Sequence, residues 1–178
     1  YEQAEVLFFD DFEDYPNFSF NFSPWTLIDL DGSPTYGFNN ISFPNEYQPM
    51  AFIIFNPSAT TPPMTALNAF SGSKVVASFS ADGSPNNDWM ITPNISLKNN
   101  SRLRFWAKAH SNQFGLERLK VGVATENTSP ENFVFIQDSP YLEIPTEWTE
   151  FLISLSDYDN QDVYLAFNCV SDDAWVLY

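Results

Sequence analysis

Apolar side chains recur along this chain at every second position, or in short unbroken runs, and each stretch ends at a cluster of Gly, Pro, Asn, Asp or Ser. Such stretches occupy 6–12, 25–30, 50–55, 74–80, 88–93, 101–109, 118–125, 133–137, 148–155, 162–170 and 174–178. Their lengths suit strands and are too short for most helices. In 101–109, Arg102, Arg104 and Lys108 alternate with Leu103, Phe105 and Ala107, which marks a strand with one wet face. Trp106 breaks that alternation and points outward. The pieces between the runs carry Asp-Gly, Asn-Pro and Ser-Pro pairs that set turn geometry, and none is long enough to link two domains. A short helical turn is expected near 129–133, with Ser129 as its cap and Pro130 first inside. The pattern therefore predicts one antiparallel β-sandwich of about ten strands over residues 1–178.

Composition agrees with that class. Eighteen Phe, eight Tyr and five Trp against three Met are the usage of strands joined by ordered turns. Seven basic residues face twenty-three acidic ones, a formal charge of −16, so phosphate backbones and anionic membranes would be repelled and nucleic acid is not an expected partner. The longest apolar runs, such as 51–55, fall far short of the ~20 residues needed to cross a bilayer, so no membrane insertion is expected. Tyr1 is not an initiator, which leaves room for a removed leader or an upstream domain and hence for export. Cys169 stands alone, so it reads as a core residue and not as half of an intrachain disulfide.

The stretch FFDDFEDYPN (8–17) gathers Asp10, Asp11, Glu13 and Asp14 with no base beside them. On a strand, Asp11 and Glu13 would share one face and Phe12 the other. Two facing carboxylates either stay solvated or hold a hard cation such as calcium, which takes oxygen ligands in loose geometry. The segment DLDG (29–32) opens like a calcium loop but lacks the later ligands, so an Asx turn is the first expectation there and a metal the second. The one histidine, His110, follows a strand with no nucleophile motif near it and reads as a surface-loop residue. A carboxylate pair acting on a glycosidic bond stays open as an alternative.

The order of FFDDFED, PWTLIDLDG, AFSGSKVVASFS, NDWMITPNISLKNNSRLRFWAKA and the closing WTEFLISLSDYDNQDVYLAFNCVSDDAWVLY resembles the cleaved-adhesin, or choice-of-anchor J, modules of secreted Bacteroidetes proteins. These are related to gingipain haemagglutinin/adhesin domains and to MAM-like, galactose-binding jelly rolls. The resemblance covers nearly the whole chain and matches least over 34–70. It implies an all-β jelly-roll sandwich, secreted or at the cell surface, forming one module of a longer chain that binds glycan or a host or cell-surface protein. It further implies a structural calcium ion held by Asp11 and Glu13, by backbone around Ser73 and Lys74, and by an acidic residue expected just past Tyr178. For the ligand, exposed aromatic rings suited to stacking on sugars are sought at Trp106, Tyr36, Phe38 and Tyr47, while Trp25, Trp89 and Trp175 are expected in the core. A glycoside-active domain on the same sandwich and a non-binding spacer remain the other readings.

Overall fold

A computed structural model describes residues 5–178. Among these residues twelve strands form, in chain order β1 (Thr26–Asp29), β2 (Ile53–Phe55), β3 (Val75–Phe79), β4 (Asp88–Ile91), β5 (Ile95–Ser96), β6 (Arg102–Ala107), β7 (Glu117–Ala124), β8 (Val134–Phe135), β9 (Leu142–Ile144), β10 (Thr149–Ser154), β11 (Asp162–Cys169) and β12 (Val176–Leu177). All named strand pairs are antiparallel. The first sheet runs β1-β4-β11-β7-β8, with β5 also on β11 and β9 also on β7.

The second layer is built from β10-β6 and from β12-β3-β2. These two pieces are stitched into one surface where Ala109 bridges Leu177 and the amides and carbonyls of Lys108 and Tyr178 exchange two 2.8 Å hydrogen bonds. Between the layers lie Met90, Val121, Phe167 and Cys169 from the first sheet, packed with Ile54, Ala107 and Leu177 from the second. The antiparallel sandwich is thus the fold of the molecule, with strand alternation dividing each sheet between an inner and an outer face.

The outer face of β2, β3 and β12 is apolar as well, and the stretches on either side of β2, 38–50 and 64–67, cover it. Phe38, Phe43, Met50, Met64 and Leu67 pack there on Ile53, Phe55, Val75, Ala77, Phe79 and Val176. This explains why β2, with all three residues buried, shows no alternation. The expected turn near 129–133 is a 3-10 helix over Pro130–Asn132 with Pro130 at its start. Its Ser129 side chain makes no cap; Asn127 Oδ1 instead accepts from the Ser129 amide at 2.8 Å.

One expected strand is absent. Residues 6–12 run as an irregular segment, and Phe12 has φ 63° in the left-handed region because Asp10 Oδ1 turns back to accept the Phe12 amide at 2.8 Å. The aromatic rings of this segment still dock on the sandwich, with Phe8 and Phe12 centred 5.5 and 5.7 Å from Trp25.

Candidate functional site

With no strand over 6–12, Asp11 and Glu13 do not line one strand face, and the four acids of the segment do different things. Asp10 is the structural one: its carboxylate accepts from Trp25 Nε1 at 2.7 Å and from the Tyr15 hydroxyl, which ties the segment to the aromatic cluster. Burial, and then the hydrogen bond and charge of Asp10, push the Tyr15 phenol well up. Asp11 is exposed, and its Oδ1 caps the Glu13 amide at 3.2 Å.

Glu13 meets Ser73 and Lys74 across some sixty residues of chain, as expected, but through a different chemistry. Its Oε1 accepts from the Ser73 and Lys74 amides at 2.8 and 2.7 Å, and its Oε2 from Ser73 Oγ at 2.8 Å. The Lys74 ammonium donates to the carbonyls of Glu13 and Tyr15 at 2.6 and 2.7 Å. Slight burial pushes the Glu13 carboxyl up, yet the three hydrogen bonds and the Lys74 charge outweigh it and hold it below the usual range. The turn presents N–H donors where calcium requires oxygen, and an ammonium already occupies the two carbonyls. As arranged, Asp11, Glu13, Ser73 and Lys74 form a hydrogen-bonded staple, and this donor set does not fit a calcium ion.

A different group of acids converges at the end of the sandwich. Asp29 of β1 and Asp88 of β4 are directly opposite in the ladder, and Asp31 follows two residues after Asp29. One carboxylate oxygen from each of Asp29, Asp31 and Asp88 lies within 4.8 Å of the others. The expected Asx turns are present: Asp29 Oδ1 accepts from the Gly32 amide at 2.7 Å and Asp31 Oδ1 from the Ser33 amide at 3.0 Å. Asp31 Oδ2 also accepts from the Asn87 amide at 2.9 Å, which brings the turn onto the start of β4.

Asp88 is 1% exposed. Its Oδ2 accepts from Ser78 Oγ at 2.9 Å and Asn86 Nδ2 at 2.6 Å, while its buried Oδ1 has no partner. Burial first, and then the charges of Asp31 and Asp29, push its carboxyl up to about 8 against the lowering effect of Asn86 and Ser78. Sequence reading missed Asp88 because it opens an otherwise apolar strand. The available signal was an acid at the start of a run whose neighbour in the sheet, DLDG, also begins with one.

The candidate ligand residues fall in separate places. Trp106 is outward, as expected, at 38% exposed, and stacks on Phe70 with ring centroids 4.1 Å apart and planes 19° from parallel. Trp148 meets Phe70 edge-on at 6.1 Å, and its indole N–H donates to the Asn68 carbonyl at 3.0 Å. Glu150 sits opposite Trp106 in the β6–β10 ladder and reaches Arg104 at 3.7 Å. Tyr36 and Tyr47 are exposed, with the Tyr47 ring lying over Gly37. Phe38 is not a surface ring: it is 6% exposed and wedged among Phe43, Phe55, Phe79 and Trp175, because the segment that carries it is the lid over the second sheet.

His110 is also not a loop residue in solvent. It is partly buried against Phe38 and Trp175, and its Nδ1 pairs with the Tyr178 hydroxyl at 2.8 Å. Burial, then the charge of Lys108, holds its pKa below the usual value. Trp25 and Trp89 are buried, and Trp175 packs partly buried against the lid cluster.

No family model matches the chain. Hemagglutinin A of Porphyromonas gingivalis is 26% identical over 167 residues, which cover 80% of this chain and 6% of that protein, so the chain spans a small fraction of its curated relative. Among solved structures, the K2 cleaved adhesin domain of Lys-gingipain superposes with TM-score 0.67 at 17% identity, over 96% of this chain and 94% of that one. The K1 cleaved adhesin domain of Lys-gingipain from Porphyromonas gingivalis gives TM-score 0.63 at 20% identity, over 94% and 90%. The chain thus has the fold of the gingipain cleaved adhesin domains and is similar in sequence to a part of hemagglutinin A.

Proposed function

We propose that the domain is an extracellular or cell-surface adhesion module that binds glycan on the Phe70–Trp106 platform. The observation that carries this reading is the pair itself: two large rings, 49% and 38% exposed, stacked flat on each other on the wet face of β6. Exposed stacked aromatics offer apolar faces to the C–H side of a sugar ring, and Arg104 and Glu150 beside them can take up hydroxyl groups. The similarity to adhesin domains supports the same class of function. Hydrolysis is disfavoured because the closest-grouped acids include Asp88, whose carboxylate is buried within the sandwich, with Oδ2 bonded to Ser78 and Asn86, and cannot reach a glycosidic bond.

The test is a glycan-array screen of the recombinant domain, followed by titration of the best sugar against Trp106→Ala and Phe70→Ala. Binding should fall at least tenfold in both while the melting temperature stays within a few degrees of the parent. Loss of binding in Tyr36→Ala or Tyr47→Ala with both platform variants intact would overturn the assignment, as would a domain that captures a cell-surface protein independently of glycan.

A further inference from the structure

We infer that the ligand of the Phe70–Trp106 platform is an acidic glycan, one whose sugars carry carboxylate or sulfate groups, because β6 sets a row of cations on the same face as the rings. This rests on the glycan reading above and narrows it. Leu103, Phe105 and Ala107 pack into the layer between the sheets, so alternation turns Arg102, Arg104 and Trp106 outward, about 6.6–6.8 Å from one to the next. The strand stays extended past Ala107, where the Lys108 backbone pairs with Tyr178, and the same alternation brings Lys108 to that face on the other side of Trp106. Across on β10, Glu150, Leu152 and Ser154 stand opposite Trp106, Arg104 and Arg102. Among the described residues, the face thus carries three cations around the rings and one carboxylate, Glu150.

Such a surplus runs against the composition of the chain, which has seven basic residues in all and twenty-three acidic ones. Three of the other four bases are engaged elsewhere. Lys74 is held by two backbone carbonyls of the staple, Arg118 lies 4.9 Å over the Tyr141 ring and Lys120 lies 4.8 Å over the Phe135 ring. On β6 the cations are open: among the described residues the single Lys/Arg-to-carboxylate pair is Arg104–Glu150. At 3.7 Å it is longer than a hydrogen bond, and its side chains are 70% and 43% exposed, so it is weak and leaves the guanidinium free. A guanidinium meets a carboxylate or a similar oxyanion through a planar fork of N–H donors. A sugar ring seated on Trp106 and Phe70 would lay its chain neighbours along β6, toward Arg104 and Arg102 on one side and Lys108 on the other. The net charge of −16 opposes such a ligand only at a distance, because charges are screened over about 8 Å at physiological ionic strength and contact is made with the row itself.

The test is titration calorimetry of the intact domain with three probes of equal length: an oligogalacturonate, a sulfated heparin fragment and a neutral cello-oligosaccharide. One of the acidic chains should bind at least tenfold tighter than the neutral one, and which of them does so tells carboxylate from sulfate as the group recognised. Arg102→Gln combined with Lys108→Gln should remove most of that preference, with neutral binding and melting temperature close to the parent's. Glu150→Gln, which deletes the one acid of the face, should raise the ratio of acidic to neutral affinity, a gain that a merely structural role would not produce. Acidic chains bound no more tightly than the neutral one, or a preference kept in the double variant, would overturn the acidic assignment; neutral binding still weakened by Trp106→Ala would leave the platform reading standing. Acidic binding unchanged in Trp106→Ala would overturn the platform instead. Single-stranded DNA bound as tightly as the acidic glycans would overturn both, by showing charge attraction without recognition of sugar.

Discussion

His110 shows how the same residue reads differently once its surroundings are known. The sequence places it after a strand and beside Lys108, with nothing to mark it as enclosed. Its surroundings come from three distant segments, through Phe38, Trp175 and Tyr178, so only the fold reveals them. Because burial and Lys108 lower its folded pKa below 6.5, the unfolded chain takes up this proton first as pH falls. Stability from this residue is therefore intact above about pH 6.5 and is lost as pH drops toward the folded value. Glu117, raised by burial against its hydrogen bonds from Ser171 and the Trp175 amide, works in the opposite sense, so the difference between two proteins is the quantity to measure. In chelator, melting midpoints from pH 7.5 to 5.5 should decline more steeply for the parent than for His110→Gln; parallel curves would show that the imidazole is not protected from protons.

Among the elements, the staple and the missing first strand are two sides of one arrangement. Alternation made β1, β3, β4, β6, β7, β10 and β11 legible because each has a face or a length that the pleat demands. It failed at 6–12, where the aromatic spacing is right for a strand but the Asp10 carboxylate competes for the Phe12 amide and turns the chain. It also passed over β5 and β9, of two and three residues, which exist only by pairing with β11 and β7. The meeting of Glu13 with the Ser73 turn was legible through family resemblance, whereas the donor character of that turn required coordinates. Gly72 is its tightest point: its φ is 63°, and a Cβ there would stand 2.5 Å from Glu13 Oε1. Gly72→Ala should cost roughly 2 kcal/mol from the left-handed backbone and the lost staple together, read as a lower urea midpoint at unchanged slope. Glu13→Ala should weaken the fold by about 1 kcal/mol, since its carboxylate is near solvent and its hydrogen bonds are discounted accordingly. A Gly72→Ala midpoint equal to the parent would mean that the turn can relax away from Glu13.

For the molecule as a whole, two apolar layers are stacked beside each other: one between the sheets and one under the lid formed by 38–50 and 64–67. That second layer accounts for much of the aromatic content, with Phe18, Phe38, Phe43, Phe55 and Phe79 all buried in it. The Asp29–Asp31–Asp88 group was half visible, in DLDG, and half hidden, because which strand lies beside β1 cannot be read from β1. Cys169 sits in the inner layer, opposite Asp88 on the neighbouring strand, fully buried, with its thiol pushed up to about 12 by burial and then by the charges of Glu117 and Asp88. A thiol reacts as its thiolate, so this one is doubly silenced, by lack of access and by lack of ionisation. Being the chain's single cysteine, it serves as a built-in clock: alkylation should proceed only through global opening, at a rate whose urea dependence matches that of equilibrium unfolding. Rapid labelling in native buffer would instead expose a local breach in the centre of the sandwich, between the two sheets.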